Sequence, residues 1–565
     1  MYNDEKTVGL DTIDAELFER LMISGASNLH ANLIEVNNLN VFPVPDGDTG
    51  DNMYLTLKGG VEELCSKKGA SLNDLACAFK QGTLLNARGN SGVILSQFFA
   101  GLVDGIIGRE IISLSDFIDA LKNGVKRAYG AVAVPVEGTI LTVAREGVEN
   151  STAKAQNFAT IEDLCKDLLC EMQKSLAHTP ELLPVLKEAG VIDSGGAGLV
   201  YIVEGFCKAL TGDAILEEVA VTDTSAKKLD FSKFDENSQM TYGYCTELLL
   251  QLQTVKTDVK NFSVDALIEY LSTIGDSIVA FITGTVVKVH VHTLTPYKVL
   301  EYCQRYGEFL TIKIENMTLQ HSEAEDPNQN SFSATKMSGA VKKERKKFAT
   351  VTVASGDGIK NTFLEMGADY VINGGQTNNP SSEDFIKAFD AVNADCIFVL
   401  PNNGNIILSA KQASSIYDKS EVRVVESKSL GEGYAALSML DYSVGSADEI
   451  EDILKSSMRC VLTGMVTTAV RTTTVNGVNI NLGDYIGFTN KEMLVSTTSK
   501  IDTAKTLLEK LEVIDCAYLV VVYGKGATDS EREELSNHLN DVYADVEFYE
   551  IDGMQDVYDF IFITE

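Results

Sequence analysis

The feature that most constrains this chain is a short acidic run, NVFPVPDGDTGDN, at residues 40–52. Asp46, Asp48 and Asp51 lie there among prolines and glycines, which favour a tight, non-helical turn. Carboxylates held this close repel one another unless a cation joins them. Asp-rich oxygen clusters suit Mg²⁺, a hard ion that also binds phosphates. The run therefore predicts a metal–phosphate site, and a purely structural aspartate turn is the alternative interpretation.

Three further glycine-bearing turns each precede an apolar helical pattern: ARGNSG at 87–92, VEGT at 136–139 and DSGGAG at 193–198. Free amides at a helix N-terminus, with a hydroxyl nearby, bind phosphate oxygens well, and glycine lets a ligand approach the backbone. Taken alone, each turn is more often an ordinary helix cap. Four such features in one helical region, one of them acidic, favour nucleotide binding. The pattern GxxxxGK[ST] is absent, so the site is not a Walker loop.

Patterning divides the 565 residues into three folded regions. Residues 1–213 show helical periodicity and predict an all-α bundle or barrel. Residues 214–321 hold two strand-rich segments around a helical one, which predicts an α+β domain. Residues 322–347 are polar and without periodicity, as in a linker. Residues 348–565 alternate strands with helices and predict an α/β domain with a parallel sheet, and the multidomain chain is therefore of mixed class.

Three local patterns make sharper predictions. One apolar face repeats at spacings of four and three and predicts a single amphipathic helix: Met22, Ala26, Leu29, Leu33 and Val36. Asn476 and Gly477 stand between two strand-like runs, which is typical of a β-hairpin. The basic cluster at residues 342–347 is interpreted as a solvated tether rather than a binding patch.

Acidic residues outnumber basic ones by 81 to 47, which gives a formal net charge of -34. This balance argues against nucleic acid or an anionic membrane surface as the main partner. An anionic nucleotide remains compatible, because bound Mg²⁺ reverses the local sign. We expect no signal segment and no transmembrane segment. The ten cysteines include no CxxC pair and are expected to be reduced thiols in a cytoplasmic protein.

A second cluster lies in the middle region, where His290 and His292 are two apart in a strand-like run and Cys245 lies in another. Residues two apart on a strand face the same side. A thiol and two imidazoles can bind Zn²⁺ with a fourth position open. The alternative is two half-buried strand histidines and a core cysteine that hold no metal.

The motifs together resemble a known family. NVFPVPDGDTGDNM, ARGNSGVILSQFFAG, VEGTILTVAREG and VIDSGGAGLVY are similar to the nucleotide-binding L subunit of dihydroxyacetone kinase. With YGYCTE, VKVHVHT, GGQTNNPS and LPNNGNI, nearly the whole chain resembles the kinase component of bacterial fatty acid kinase. The resemblance implies an eight-helix barrel that binds ATP through Mg²⁺, a middle domain used for homodimerisation, and a C-terminal domain that docks a separate fatty-acid-binding carrier protein. That carrier presents an acyl chain whose carboxylate attacks the γ-phosphate, which gives an acyl phosphate.

Phosphoryl transfer needs metals that bridge the phosphates and donors that stabilise the spread charge. Asp46 and Asp48 are the predicted catalytic metal ligands, with Asp51 or Asn40 helping. The resemblance implies the same pair, and it places Asn40 where the dihydroxyacetone kinase L subunit has a third aspartate.

Arg88 or Arg145 would neutralise the transferring group, and Arg145 is the one assigned to the catalytic set. For both, an ion pair within the protein is the alternative. The predicted nucleotide-binding residues share the four motifs: Asn40, Thr49, Gly50, Asn52, Met53, Asn90, Ser91, Gly92, Thr139, Asp193 and Gly195.

Two other functions fit the same motifs. The first is a kinase of a small polyol or ketone, which the resemblance to the L subunit alone would permit. The dihydroxyacetone-binding subunit normally carries a covalent histidine, however, and this chain shows no clear equivalent. The other alternative is a non-enzymatic, nucleotide-dependent scaffold in which ATP binding changes docking by the C-terminal domain.

Overall fold

The computed structural model of the chain describes residues 11–40, 47–212, 244–316 apart from 258, 260, 261 and 284, and 345–565 apart from 377, 460 and 471. The chain divides into two compact units. One consists of Met1–Val221 together with Lys342–Glu565, and the other of Thr222–Val341. The helical N-terminal region and the C-terminal region therefore share a unit, and the middle region forms its own.

The N-terminal region is built from α-helices, with one short antiparallel strand pair between β1 (Thr12–Ile13) and β2 (Ile112–Ser113). In the part that the structure describes, none of the helices is long and apolar enough to cross a membrane. The helices have the following bounds: α1 (Ala15–Ala31), α2 (Leu33–Leu39), α3 (Thr49–Ser66), α4 (Leu72–Leu85), α5 (Gly89–Ile106), α6 (Leu114–Gly130), α7 (Ile140–Thr152), α8 (Ile161–Leu182), α9 (Pro184–Ala189) and α10 (Ser194–Thr211).

The longer helices of this region contact one another in chain order and close on themselves. α1 packs on α3, α3 on α4, and so on through α5, α6, α7, α8 and α10, which returns to α1. Their apolar faces share one core, in which Phe79 packs edge-on against Phe18 and Phe99 at ring-centroid distances of 6.3 and 5.3 Å. Because α1 and α10 are neighbours, the two ends of this region meet.

The apolar face that predicted a single helix is divided between two, and that prediction is wrong. α1 ends at Ala31 and α2 begins at Leu33. Between them, Asn32 has φ of -107° and ψ of 12°, and its Nδ2 donates to the carbonyl of Asn28 at 2.8 Å. A side-chain amide that bonds back to the backbone competes with the helical ladder, which gives a physical reason for the break.

The middle unit is a four-stranded antiparallel sheet in the order β4-β5-β3-β6, with two helices. Both predicted strand-rich segments and the helix between them are present. Side chains from the sheet and helices, including Leu250, Leu271 and Val299, form a separate core. The elements are β3 (Tyr244–Leu252), α11 (Val264–Leu271), β4 (Gly275–Thr283), β5 (Val286–Thr293), α12 (Pro296–Cys303) and β6 (Gly307–Asn316).

The C-terminal region begins with a parallel sheet and its helices. The predicted strands β7, β9 and β10 are confirmed, and β8 joins them in the order β10-β9-β7-β8. The elements are β7 (Lys346–Ala354), α13 (Asp357–Glu365), β8 (Tyr370–Asn373), α14 (Ser382–Val392), β9 (Ala394–Leu400), α15 (Ile407–Ile416), β10 (Glu421–Val424), α16 (Leu430–Ser438) and α17 (Ala447–Ser457).

A second, mixed sheet completes this region in the order β15-β14-β11-β18-β16-β17. Among its described strand pairs only β16–β17 is parallel, so a purely α/β interpretation of residues 348–565 is too simple. The elements are β11 (Leu462–Thr468), β12 (Thr473–Val475), β13 (Val478–Ile480), β14 (Tyr485–Thr489), β15 (Met493–Thr497), α18 (Lys500–Lys510), β16 (Tyr518–Tyr523), α19 (Asp529–Val542), β17 (Glu547–Asp552) and β18 (Phe560–Thr564).

The predicted hairpin is confirmed. β12 and β13 pair antiparallel across Asn476 and Gly477, whose φ values of 51° and 77° are the positive pair that a two-residue hairpin turn requires.

The end of the predicted linker is structured. β7 begins at Lys346, two residues before the predicted boundary, and Lys346 pairs with Asp369. Arg345 pairs with Asp395, and Lys347 Nζ donates to the carbonyl of Gly445 at 2.7 Å. These three residues are exposed, as a solvated segment predicts, but the interpretation as a tether is wrong for them, because each has a partner on the sheet or a neighbouring loop. Residues 322–344 of the predicted linker lie outside the described residues.

The close approach of α1 and α10 generates a stability prediction. A methyl group on Gly205 would lie 2.5 Å from the carbonyl oxygen of Ser24 and 2.8 Å from Gly25 Cα, whereas one on Gly130 would meet nothing within 4 Å. We expect Gly205→Ala to lower the free energy of unfolding by about 1–3 kcal/mol, since the backbones must separate. The matched control Gly130→Ala should be neutral or stabilising by up to about 1 kcal/mol. Thermal and urea denaturation of the full chain measure both, and equal stabilities would contradict this packing.

Candidate active site

The N-termini of four helices, α3, α5, α7 and α10, meet in one place. Ser194 Oγ, at the start of α10, donates to Thr49 Oγ1 at the start of α3 at 3.3 Å. A Cβ on Gly89 of α5 would lie 2.7 Å from Asn52 Nδ2 of α3. A Cβ on Gly195 of α10 would lie 3.2 Å from Ile140 Cβ of α7. The predicted helix starts after the three glycine-bearing turns are confirmed, and these starts are adjacent in space.

Asp48 is the buried carboxylate of this site. It stands at the N-cap of α3, is 9% exposed, and makes no capping bond to its own helix. Its oxygens accept hydrogen bonds from the side chains of Asn52 and Asn379, the latter at 2.6 Å. Burial raises the pKa of Asp48 to about 6, the negative Asp51 adds to the rise, and the two amides oppose it. A carboxylate this buried is costly when ionised unless a cation joins it.

The rest of the acidic run is organised by Asn37 of α2. Its Oδ1 accepts from the amide of Gly50 at 2.8 Å, and its Nδ2 donates to the exposed carboxylate of Asp51 at 2.7 Å. The run is therefore not a turn throughout, because Thr49 to Asn52 form the first turn of α3. Asn40 is the C-cap residue of α2. The predicted ligand Asp46 lies outside the described residues.

Asp193 and Thr139 hold the starts of α10 and α7. Asp193 Oδ2 accepts from the amide of Gly196 at 2.6 Å, and its carboxylate also accepts from the amide of Ile140. Burial raises the pKa of Asp193 to about 6. The hydroxyl of Thr139 caps Leu141 and donates to the carbonyl of Val136 at 2.8 Å. Both predicted binding residues thus act as helix caps, and each occupies backbone amides that a helix start would otherwise leave unpaired.

The two candidate arginines differ in surroundings. Arg145 donates to Tyr129 Oη at 3.0 Å, to Glu137 at 3.0 Å and to Glu149 at 3.4 Å, so the ion-pair alternative is realised in this structure. The bond to Tyr129, followed by that to Glu137, raises the Arg145 pKa. Arg88 instead contacts the residue that binds Asp48, because its Nη1 donates to the backbone carbonyl of Asn379 at 3.3 Å. The catalytic role of Arg145 remains a prediction.

The other predicted binding residues contribute mainly to packing around the site. Met53 is fully buried, and a Cβ on Gly198 of α10 would lie 2.7 Å from its Sδ. Gly92 lets α5 approach α3, since a Cβ there would lie 2.4 Å from Thr56 Oγ1. Ser91 is half-buried in the first turn of α5. Asn90 Nδ2 donates to Asn405 Oδ1 of the C-terminal region at 3.2 Å.

The sequence reasoning missed the contribution of the C-terminal region. Asn379 follows β8, and Asn405 follows β9. Gln412 of α15 donates to the carbonyl of Leu84 at 2.6 Å and accepts from Gln97 Nε2 at 2.7 Å. The signal was present in GGQTNNPS and LPNNGNI, polar runs that follow strands, because ligands of parallel sheets bind beyond the carboxyl ends of the strands.

A cavity of about 380 Å³ lies at this edge of the parallel sheet. Residues that follow β7, β8 and β9 line it, including Ser355, Gln376 and Asn403, together with Met465 and Phe488 of the mixed sheet. Asn405 lines the same cavity and accepts the hydrogen bond from Asn90. The cavity therefore borders the helical region.

The zinc prediction gains no support. The sheet register places Cys245 opposite His292, with His290 two positions along the same strand, but their side chains are not among the described ones. Within the ranges that the structure covers, no group of three or more His, Cys, Asp or Glu side chains could hold a metal ion. The cysteines whose side chains are described are free thiols.

Comparison with known proteins identifies the family. The FakA-like fatty acid kinase models match residues 349–565 as the C-terminal domain and 241–324 as the middle domain, and a DAK2 domain matches 43–208. The chain is also 38% identical to protein YloV of Bacillus subtilis (strain 168) over 563 residues, which is 99% of this chain and 100% of that one. The chain belongs to the FakA-like fatty acid kinase family. Its domains are those of a phosphotransferase family.

Two solved structures resemble parts of the chain. The dihydroxyacetone kinase from C. freundii in complex with AMP-PNP and Mg²⁺ is 17% identical, with 37% of this chain and 36% of that chain covered and a TM-score of 0.28. DegV, a fatty acid binding protein from Bacillus subtilis, is 11% identical, with 39% and 99% covered and a TM-score of 0.30. At these TM-scores neither likeness carries an argument.

The raised pKa of Asp48 generates a pH prediction. Folding raises this pKa from 3.8 to about 6, so the folded chain loses stability as the pH rises through that window. Asp48→Asn removes the charge and keeps an acceptor for Asn379 Nδ2. Without divalent cations, we expect this variant to be about 1–3 kcal/mol more stable than the wild type at pH 7.5 and equally stable below pH 4. Urea denaturation in chelator at both pH values measures this.

The control for this prediction is Asp119→Asn, which removes an exposed charge on α6, away from the site. Its free energy of unfolding should stay within about 0.5 kcal/mol of the wild type at either pH. A destabilised Asp48→Asn variant at pH 7.5 would show that the ionised carboxylate is already compensated in the metal-free fold.

Proposed function

We propose that the chain is an ATP- and Mg²⁺-dependent kinase that phosphorylates the carboxylate of a fatty acid presented by a separate fatty-acid-binding protein. The observation that carries the proposal is Asp48, a buried carboxylate among four helix N-termini. A buried carboxylate favours a cation, and helix N-termini favour phosphate groups. The family to which the chain belongs supports the kinase chemistry and the fatty acid.

The residues around Asp48 fit a magnesium–nucleotide complex. Asp48 offers carboxylate oxygens, and the buried Asn379 Oδ1 has no hydrogen-bond partner among the described residues. Carboxylate and amide oxygens are the ligands that hard cations prefer. Asp46 and Asp48 would hold the ion, with the hydroxyls of Thr49 and Ser194 close by. When bound, Mg²⁺ would neutralise part of the negative charge on the phosphates.

The proposed reaction balances without a proton transfer from the nucleophile. A fatty acid carboxylate is ionised at neutral pH, because the pKa of a carboxyl group is about 4 to 5. One of its oxygens attacks the γ-phosphorus, the bond from that phosphorus to the β,γ-bridging oxygen breaks, and ADP leaves with the bond's electrons. The products are an acyl phosphate and ADP, and no general base is needed. The positive dipole ends of the four helices and the Arg88 guanidinium would stabilise the charge that spreads over the transferring group.

The acyl tail stays with the carrier in this proposal. The side-chain amides of Asn52 and Asn379 bind the Asp48 carboxylate, and the hydroxyls of Thr49 and Ser194 meet at the adjoining helix starts. Such polar groups suit phosphate and carboxylate groups rather than a hydrocarbon chain. The C-terminal region lies against the same site and would dock the carrier.

The proposal includes a homodimer formed through the middle unit. Leu310, Ile312 and Ile314 are 56%, 46% and 40% exposed along the edge strand β6. Alternate residues of a strand share a face, so Ile312 and Ile314 form an apolar pair, and Leu310 lies next to them at a register shift between β6 and β3. A second copy of the chain would cover these residues, since an exposed apolar edge strand invites pairing.

A coupled assay tests the reaction. Purified chain, ATP and Mg²⁺ are mixed with a fatty-acid-binding protein loaded with a fatty acid, and the acyl phosphate is trapped with hydroxylamine as the hydroxamate. We expect product only when ATP, Mg²⁺ and the loaded carrier are all present. Asp46→Ala/Asp48→Ala should reduce turnover by at least about 10²-fold, the scale of losing an electrostatic stabiliser. The control Asp119→Ala, an exposed carboxylate on α6, should match the wild type.

Other results would replace this proposal. Undiminished turnover in the double variant would remove the metal assignment. Phosphorylation of dihydroxyacetone without a carrier would favour a small-molecule kinase. Tight ATP binding without transfer to any loaded carrier would favour a nucleotide-dependent scaffold.

A further inference from the structure

Asn379 reaches the candidate metal site from the far end of the chain. It lies in the loop between β8 and α14, 331 residues after Asp48, and its Nδ2 donates to Asp48 Oδ2 at 2.6 Å. Only 3% of Asn379 is exposed. The buried carboxylate is thus held by a residue from outside the helical region.

The loop that carries Asn379 is held on both sides. Within it, Gly375 and Asn378 exchange backbone hydrogen bonds of 3.1 and 3.3 Å. Across the contact, the amide of Ser382 donates to the carbonyl of Ala87 at 3.2 Å, and Arg88 Nη1 donates to the carbonyl of Asn379 at 3.3 Å. The side-chain amide of Asn379 is therefore fixed in place beside the carboxylate and is not a surface group that happens to lie there.

Two polar atoms at this contact have unused hydrogen-bonding capacity. Asn379 Oδ1 and Arg88 Nε are both buried and have no hydrogen-bond partner in the part of the chain that the structure describes. An asparagine kept only to join two regions would have both of its amide atoms satisfied, since unpaired buried polar groups are rare and costly. An amide oxygen suits a hard divalent cation, and a guanidinium N–H suits a phosphate oxygen. The two unpaired atoms are what a magnesium–nucleotide complex would satisfy.

We propose that the C-terminal region completes the metal–nucleotide site, with Asn379 positioning Asp48 through Nδ2 and offering Oδ1 to the bound magnesium–nucleotide complex. This inference rests on the proposed function, because it needs the helical region to bind that complex. It adds that the site is incomplete without the loop between β8 and α14. Asn379 is then a binding and positioning residue of the kinase site and not only part of a docking contact.

The test compares neighbouring asparagines in the full chain. Asn379→Ala removes the buried amide, and the matched control Asn378→Ala removes an exposed one from the same loop. Binding of a fluorescent ATP analogue is titrated with Mg²⁺ for the wild type and both variants. We expect Asn379→Ala to need about 10- to 100-fold more Mg²⁺ for half-maximal binding, the usual effect of losing a residue that orients a metal ligand. Asn378→Ala should match the wild type.

A second readout separates positioning from folding. Thermal unfolding is measured in chelator and again in Mg²⁺ without nucleotide. The wild type and Asn378→Ala should gain melting temperature on adding Mg²⁺, and Asn379→Ala should gain less. A lower melting temperature of Asn379→Ala with an unchanged Mg²⁺ midpoint would overturn the inference, because the residue would then serve structure alone. Tighter nucleotide binding by Asn379→Ala would also overturn it, since the loop would then obstruct the site.

The nucleotide-binding titration of the wild type separates a wrong proposed function from a wrong role for Asn379. A wild-type chain that binds no nucleotide at any Mg²⁺ concentration would refute the kinase site, and with it the role of Asn379. A wild type that binds normally beside an indistinguishable Asn379→Ala variant would refute only the role of Asn379.

Discussion

A buried negative charge shared by two distant parts of the chain is the constraint on which this structure depends. Asp48 opens α3 without capping it, and its carboxylate is enclosed by Asn52 from its own helix and Asn379 from the C-terminal region. The amides oppose the rise in pKa that burial causes, and they leave the pKa at about 6. An ionised carboxylate at neutral pH is therefore only partly compensated by the protein itself. A cation held against phosphate oxygens supplies what is missing.

The helical region is built to bring helix starts to this charge. Small residues allow the close approaches: Gly89 has φ of +57° and lies against Asn52, and Gly195 lies against Ile140. Because both residues are glycines, they place no side chain at the N-termini of α5 and α10, where the positive end of a helix dipole favours a phosphate group. Gly205 and Gly25 perform the corresponding task between α1 and α10, and so keep the two ends of the helical region together. In each case a glycine lets two helices approach closely, and this close packing holds the helix starts of the site together.

Local signals were sufficient for the features that depend on local chemistry. The glycine-bearing turns predicted the starts of α5, α7 and α10, and Asn476 with Gly477 predicted a hairpin, because backbone conformation and capping are determined within a few residues. The break at Asn32 escaped prediction, since apolar periodicity continues through it while a single side-chain bond to Asn28 interrupts the helix. The mixed second sheet also escaped, because strand order depends on contacts between distant segments.

Asn379 shows why a site of this kind cannot be completed from local patterns. Its run, GGQTNNPS, is polar and follows a strand, which indicates a loop and nothing about its partner. Asn379 matters for the site because the fold brings it to Asp48, which lies 331 residues earlier in the chain. The same loop places Gln376 in the wall of the 380 Å³ cavity and Asn379 against Asp48. Gln376 and Asn379 therefore join the cavity wall and the buried carboxylate within one loop, and only the folded chain brings these two polar environments together.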